Sequence, residues 1–205
     1  ALGAFSKRVD TPEAACRPFD SNRDGLVPSG GAAAIILERY DLAKLRGAKI
    51  LGTIISYGFS SDGTHISSPS EDGLRSAMQK AIDNAELKPS DIDYISAHAT
   101  STPIGDSIEA QSISDVFGER TPWVSSFKSM TGHELWMSGA SSVVYSVTMA
   151  REGFIARNLN FELPDADSEK LNIVTETIHQ SPETVLCNSA GFGGTNACLI
   201  IRFDE

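Results

Sequence analysis

Apolar residues recur along this chain with two different periods, and the changes of period mark out the elements. Leu74, Ala77, Met78, Ala81, Ile82 and Ala85 keep the three-and-four spacing of one helical face, opened by Ser70-Glu71-Asp72. Ile104, Ile108, Ala110, Ile113, Val116 and Phe117 mark a second helix. Pro103 stands near its start, where a missing N–H costs nothing, and Gly118 stops it. A third, rich in small residues, is predicted from about residue 135 to 152, and a short one over 40–46 closes on Gly47. Runs rich in β-branched and apolar residues predict strands over 50–58, 92–97, 123–127, 184–188 and 197–203, with a short one near 172–175. The run Ala32-Ala33-Ala34-Ile35-Ile36-Leu37-Glu38-Arg39 follows two glycines, and its short length favours strand over helix.

Strands alternating with helices through the middle of the chain argue for parallel strands joined by right-handed crossovers. The last two strands flank a Gly-rich loop, 189–196, and predict an antiparallel pair added to that sheet. Residues 1–31 read as irregular, with a strong turn at Asn22-Arg23-Asp24-Gly25.

At 205 residues the chain is long enough for one substantial core. Its 40% hydrophobic and 21% charged residues are those of an ordinary soluble protein. A formal net charge of −10 argues against nucleic acid as a partner. The longest apolar run is strand-sized, far short of a membrane span. The amino end has no basic segment ahead of an apolar core, so no secretory leader is expected. A start at Ala1 without Met reads as a processed or excised piece. Cys16, Cys187 and Cys198 have no metal-ligand spacing, and so sparse and odd a set points to reduced thiols in the cytoplasm.

Polar chemistry gathers where strands stop. His98-Ala99-Thr100-Ser101-Thr102-Pro103 follows the strand 92–97, although Thr102 also fits a plain helix N-cap. Lys128-Ser129-Met130-Thr131-Gly132-His133 follows the strand 123–127 as a tight polar turn. In α/β sheets ligands bind at the carboxyl ends of strands, so His98 and His133 are expected to face one space. Two neutral imidazoles there could donate hydrogen bonds to a thioester oxygen or polarise a carboxylate. They could also ligate a metal, but no Asp, Glu or Cys stands beside them at ligand spacing, and no metal is expected. The glycines of 191–194 lack the Lys-Ser/Thr of a phosphate loop and better suit close approach of backbone N–H groups to a reacting carbonyl. His65 and His179 lie in polar stretches and are expected to be solvated. A nucleophile is hard to find: Cys187 and Cys198 fall in predicted buried strands, Cys16 has no local base, and no G-x-S-x-G elbow occurs.

Three of these segments, His98–Pro103, Lys128–His133 and Asn188-Ser-Ala-Gly-Phe-Gly-Gly-Thr-Asn196, resemble motifs in the second half of the β-ketoacyl-[acyl carrier protein] synthases. Arg17-Pro-Phe-Asp-Ser-Asn-Arg-Asp-Gly25 and Leu171-Asn-Ile-Val-Thr-Glu176 are similar to further family segments, nearest the elongating synthases of types I and II. The resemblance implies the carboxyl-terminal half of an α/β, thiolase-like fold: a mixed five-stranded sheet in the order βαβαβαββ. Residues 1–47 would end the amino-terminal half and 48–205 form the carboxyl-terminal domain. It further implies decarboxylative condensation of malonyl carrier protein with an acyl thioester. The nucleophilic Cys would lie on an amino-terminal half outside this chain, and phosphopantetheine would arrive on the acyl carrier protein, with no cofactor of the chain's own. His98 and His133 would assist decarboxylation and hold the thioester carbonyl, with Lys128 supporting His133. Thr100, Thr102 and Phe192 would contact substrate or its phosphopantetheine arm, and the Ala190 N–H would be one oxyanion donor. A homodimer or heterodimer in the cytoplasm is expected. The family's usual Gly is Ala99 here, its gating Phe is Ala190, and its helix Glu is Ser142. Its small-residue run is replaced by Glu134-Leu135-Trp136-Met137, and Trp136 is expected to refill space left by the missing Phe. These departures leave a second reading open, a non-elongating partner subunit of the chain-length-factor kind.

Overall fold

The computed structural model describes residues 4–63 and 69–203. His65 lies outside them. Among the described residues six strands form one sheet in the order β1-β6-β5-β2-β3-β4. They are β1 (Thr53–Ser61), β2 (Tyr94–Ser96), β3 (Trp123–Ser125), β4 (Asn172–Ile173), β5 (Thr184–Gly191) and β6 (Thr195–Arg202). Five helices accompany them: α1 (Tyr40–Leu45), α2 (Glu71–Asn84), α3 (Pro103–Phe117), α4 (Lys128–Thr131) and α5 (Ser138–Glu152). The sheet has six strands, not the five expected of it, because β4, the short strand expected near 172–175, joins it parallel to β3 over two residues. β2 runs parallel to both β3 and β5, whereas β6 is antiparallel to β5 and to β1. The antiparallel pair thus sits between β1 and β2 rather than beside them.

Alternation along the strands sends side chains to two cores, because successive residues face opposite sides of a sheet. Ile95, Leu186, Cys198 and Ile200 point to the side covered by α2 and α3, where Ala77, Met78, Ala81 and Ile113 are fully sealed from water. Tyr94, Val185, Cys187 and Ile201 point to the other side, under Val143 and Met149 of α5. Helix α2 begins where its cap predicts, with Ser70 Oγ accepting from Gly73 N–H. It lies so close on β1 that a Cβ at Gly58 would fall 2.0 Å from the Ala77 carbonyl oxygen.

Two expectations are corrected. The apolar run 32–39 is not a strand: no ladder partner reaches it among the described residues, and Ile36 is 95% and Leu37 71% exposed. Its composition suits a sheet, but a strand needs a neighbour for its backbone groups. β1 lies three residues later than the pattern placed it, because β6 continues to pair with the polar stretch as far as Ser61↔Thr195. That pairing is a backbone property that a hydrophobic pattern does not record. Among the described residues no helix is long and apolar enough to cross a membrane.

Candidate active site

Parallel pairing brings the ends of β2, β3 and β5 to one edge. Tyr94–Ser96 align with Trp123–Ser125 on one side and Val185–Cys187 on the other. His98 leaves β2 at this edge and α4 starts just past β3. Asn188 to Ala190 run past the end of β2 on the neighbouring strand. The rings of His98 and His133 meet edge to face, their centres 5.5 Å apart.

The His133 ring is held by the backbone, and the His98 backbone by a side chain. The His133 Nδ1 accepts from Leu135 N–H at 3.2 Å, which leaves the ring's other nitrogen for its proton. The chain at His133 is pinned by Val27 and Ser29 of the amino-terminal stretch, its N–H donating to the Val27 carbonyl at 2.7 Å. The His98 N–H and Ala99 N–H donate to the Glu109 carboxylate at 2.9 and 2.6 Å, and Asn188 Nδ2 donates to the same group at 3.0 Å. The His98 Nδ1 is sealed from water with no hydrogen-bond partner. An unpaired buried polar atom at the mouth of a site invites an explanation in terms of function.

Burial sets the charge states. It holds His98 well below its ordinary value, helped by Lys128 and then by His133. It brings His133 down to about 4, helped by Lys128 and opposed by Glu134. Both rings are therefore neutral hydrogen-bond donors near pH 7. Lys128, at the start of α4, is only 4% exposed. Burial lowers its pKa, and Glu109, Asp106, Cys16 and Glu134 act against that.

Two carboxylates of α3, Asp106 and Glu109, stand behind this site without belonging to any of the sequence motifs. Both are almost wholly buried. Asp106 accepts from the N–H groups of Thr100, Ser101 and Thr102 on the loop after β2, and from Phe19. Arg23 stands 3.9 Å away. Burial nevertheless pushes Asp106 up to about 7, against the N–H of Phe19 and the charge of Arg23. A signal existed: two acids three residues apart on the same helix face as Ala110, Ile113 and Phe117, where the period calls for apolar residues. Ser126 closes the frame from β3, its hydroxyl donating to the Ala99 carbonyl at 2.7 Å.

The remaining expected residues fall unevenly. Thr100 and Thr102 hydroxyls lie 3.1 Å apart, and Thr102 occupies the N-cap of α3 without the capping bond. A Cβ at Gly105 would sit 2.5 Å from the Thr102 hydroxyl, so a larger residue there would push that hydroxyl aside. Ala190 lies half-buried near the end of β5, opposite Asn196. Phe192 stands at the hairpin tip, 69% exposed. Trp136 does not refill the space beside Ala190. It is 99% exposed, because Leu135–Met137 form a 3-10 turn ahead of α5 rather than its first turn. The three cysteines are buried thiols. Burial raises Cys16 to about 12 and Cys187 to about 11, and Cys198 lies higher than its ordinary value too. His179 is exposed.

Residues 51–162 match the family description "Beta-ketoacyl synthase, C-terminal domain". The chain is 43% identical over 203 residues to 3-oxoacyl-[acyl-carrier-protein] synthase 1 of Escherichia coli (strain K12), covering 98% of this chain and 49% of that protein. A crystal structure of a β-ketoacyl synthase from Burkholderia phymatum superposes with a TM-score of 0.96 at 40% identity, over 100% of this chain and 50% of that one. A solved complex of a type II polyketide acyl carrier protein with its ketosynthase, bound to a hexaketide, gives 0.93 at 31% identity, over 100% and 51%. The chain spans about half the length of the relatives it matches.

Proposed function

The chain belongs to the β-ketoacyl synthase family as its carboxyl-terminal domain, and from that premise we propose that it supplies the decarboxylation half of a condensing active site. The substrate is a malonyl thioester on an acyl carrier protein. Its bond to the terminal carboxylate breaks, carbon dioxide leaves, and the electron pair passes into an enolate whose charge collects on the thioester oxygen. The N–H groups of His98 and His133 stabilise that oxygen. The enolate carbon then attacks an acyl thioester held on a cysteine, forming the new C–C bond and releasing the thiol. The Ala190 N–H and the cysteine's own N–H receive the second oxyanion. The observation that carries this reading is the meeting of two neutral imidazoles at the end of β2 and β3, over a buried lysine. Neutral donors suit an oxygen that gains charge only as the reaction proceeds, since they stabilise the transition state more than the ground state.

The acylated cysteine belongs to an amino-terminal half beyond this chain. The three cysteines here support that, each buried with its thiol pKa raised, so that none offers a thiolate at neutral pH. The apolar residues left uncovered around Ile36 and Leu37 fit a partner surface that such a half would cover. The assembled protein is a homodimer or heterodimer that meets its carrier protein in the cytoplasm. Ala190 and Ser142 favour the second reading, a partner subunit without elongating activity. Retention of His98, Lys128 and His133 favours the enzyme. Assay of ketoacyl product from malonyl and acyl carrier proteins separates them. Product is expected when the chain is joined to an amino-terminal half bearing the cysteine, and none from the chain alone. Product from the chain alone would overturn the placing of the cysteine outside it, and none from the assembled protein would reject the enzyme reading.

A further inference from the structure

Glu134 is a buried carboxylate, 8% exposed, with no part in the chemistry above, although it lies between His133 and Leu135. Two hydroxyls of α5 donate to it, Tyr145 at 2.7 Å and Ser141 at 2.5 Å. The next residue, Leu135, has φ +53°, a left-handed conformation that a bulky side chain rarely adopts. Such a conformation persists only where surrounding contacts over-determine it. The N–H of that same Leu135 is the donor to His133 Nδ1.

We propose that Glu134 is the positioning residue of His133. By tying the 133–135 turn to α5, it holds the Leu135 N–H against Nδ1 and keeps the proton of the ring on Nε2. Charge acts in the same place, since Glu134 is the carboxylate that opposes burial at His133 and also bears on Lys128. Helix α5 offers no substitute near the site: Ser142 donates to the Ser138 carbonyl, and the only acid of the helix, Glu152, is its last residue. The inference rests on the catalytic reading only for its kinetic consequence.

Nitrogen chemical shifts of the intact protein carrying 15N-histidine report the tautomer whatever the protein catalyses. Wild type should show His133 protonated on Nε2 alone. Glu134→Ala should give a mixture of tautomers, and so should Ser141→Ala with Tyr145→Phe, which leaves the carboxylate in place and covers the case in which the first variant does not fold. Glu134→Gln keeps one acceptor and should restore most of the Nε2–H form. Release of carbon dioxide from a malonyl thioester should fall by about 10²-fold in kcat for Glu134→Ala, with KM little changed, as expected of a misplaced donor. An unchanged His133 tautomer in both Glu134→Ala and the double variant overturns the proposal. Altered tautomers in a protein whose wild type releases no carbon dioxide would support the positioning role and overturn the catalytic reading instead.

Discussion

Glu109→Gln asks whether a buried carboxylate sets the position of His98. Glu109 is 2% exposed and receives three donors: the N–H groups of His98 and Ala99 and the amide of Asn188. Glutamine has the same shape but only one carbonyl oxygen, and its NH2 must confront one of those donors. A buried N–H left without an acceptor costs about 1–3 kcal/mol. The lost charge acts in both directions. Burial raises the pKa of Glu109, so neutralising it relieves a desolvation cost, while Lys128 loses the carboxylate that acts on it most. The net expectation for Gln is about 1–3 kcal/mol of stability. Alanine unpairs all three donors and strips Lys128 of the same charge, so about 3–5 kcal/mol is expected, as for a buried pair broken from one side. Urea titration of the intact protein reads both, the midpoint falling with the slope unchanged. A Gln variant within about 0.5 kcal/mol of wild type, the range of an indifferent surface change, would refute the reasoning.

Stability should also fall on acidification. The two histidines titrate near 6.5 when unfolded, but His133 titrates near 4, and His98 well below its ordinary value, when folded. The unfolded chain thus binds more protons, and the contribution present above about pH 6.5 is lost as pH falls toward 4. Urea midpoints across that range should show wild type losing its advantage over His98→Asn with His133→Asn, and a constant difference would contradict the assignment. Gly58→Ala should cost at least about 1–3 kcal/mol, because its Cβ meets the backbone of α2 at 2.0 Å and a helix backbone cannot step aside. An unaltered melting temperature would show that β1 and α2 are not so closely packed. Ala190→Phe should narrow the range of acyl primers accepted in competition assays while condensation continues, and an unchanged primer range would reject the gate at this position.

Much of the fold is legible in the sequence because periodicity reports which side of an element is buried. The face of α2 predicted from Leu74 to Ile82 is the face that packs, and Ser70 caps it as its side chain allows. The convergence of His98 and His133 also follows from sequence, since parallel strands must end at one edge. Pattern fails where a partner decides. The run 32–39 has the composition of a strand and pairs with nothing among the described residues, and the polar end of β1 is strand only because β6 lies beside it. The burial of Asp106, Glu109 and Glu134 escapes the pattern for a related reason. A charged residue reads as solvated unless the donors that satisfy it are visible, and here those donors are distant in sequence or belong to the backbone. Trp136 departs from its expected place because a 3-10 turn, not a helical one, carries it into solvent.

The central claim is that His98 and His133 act together on one thioester oxygen. Release of labelled carbon dioxide from malonyl carrier protein by the intact protein tests it most directly, in wild type, His98→Ala, His133→Ala and the double variant. Each single change should lower the rate by about 10²–10³-fold, the loss typical of one oxyanion donor. The double variant should be little slower than either single one, because residues acting as a unit are not additive. Release that survives both substitutions would contradict the claim.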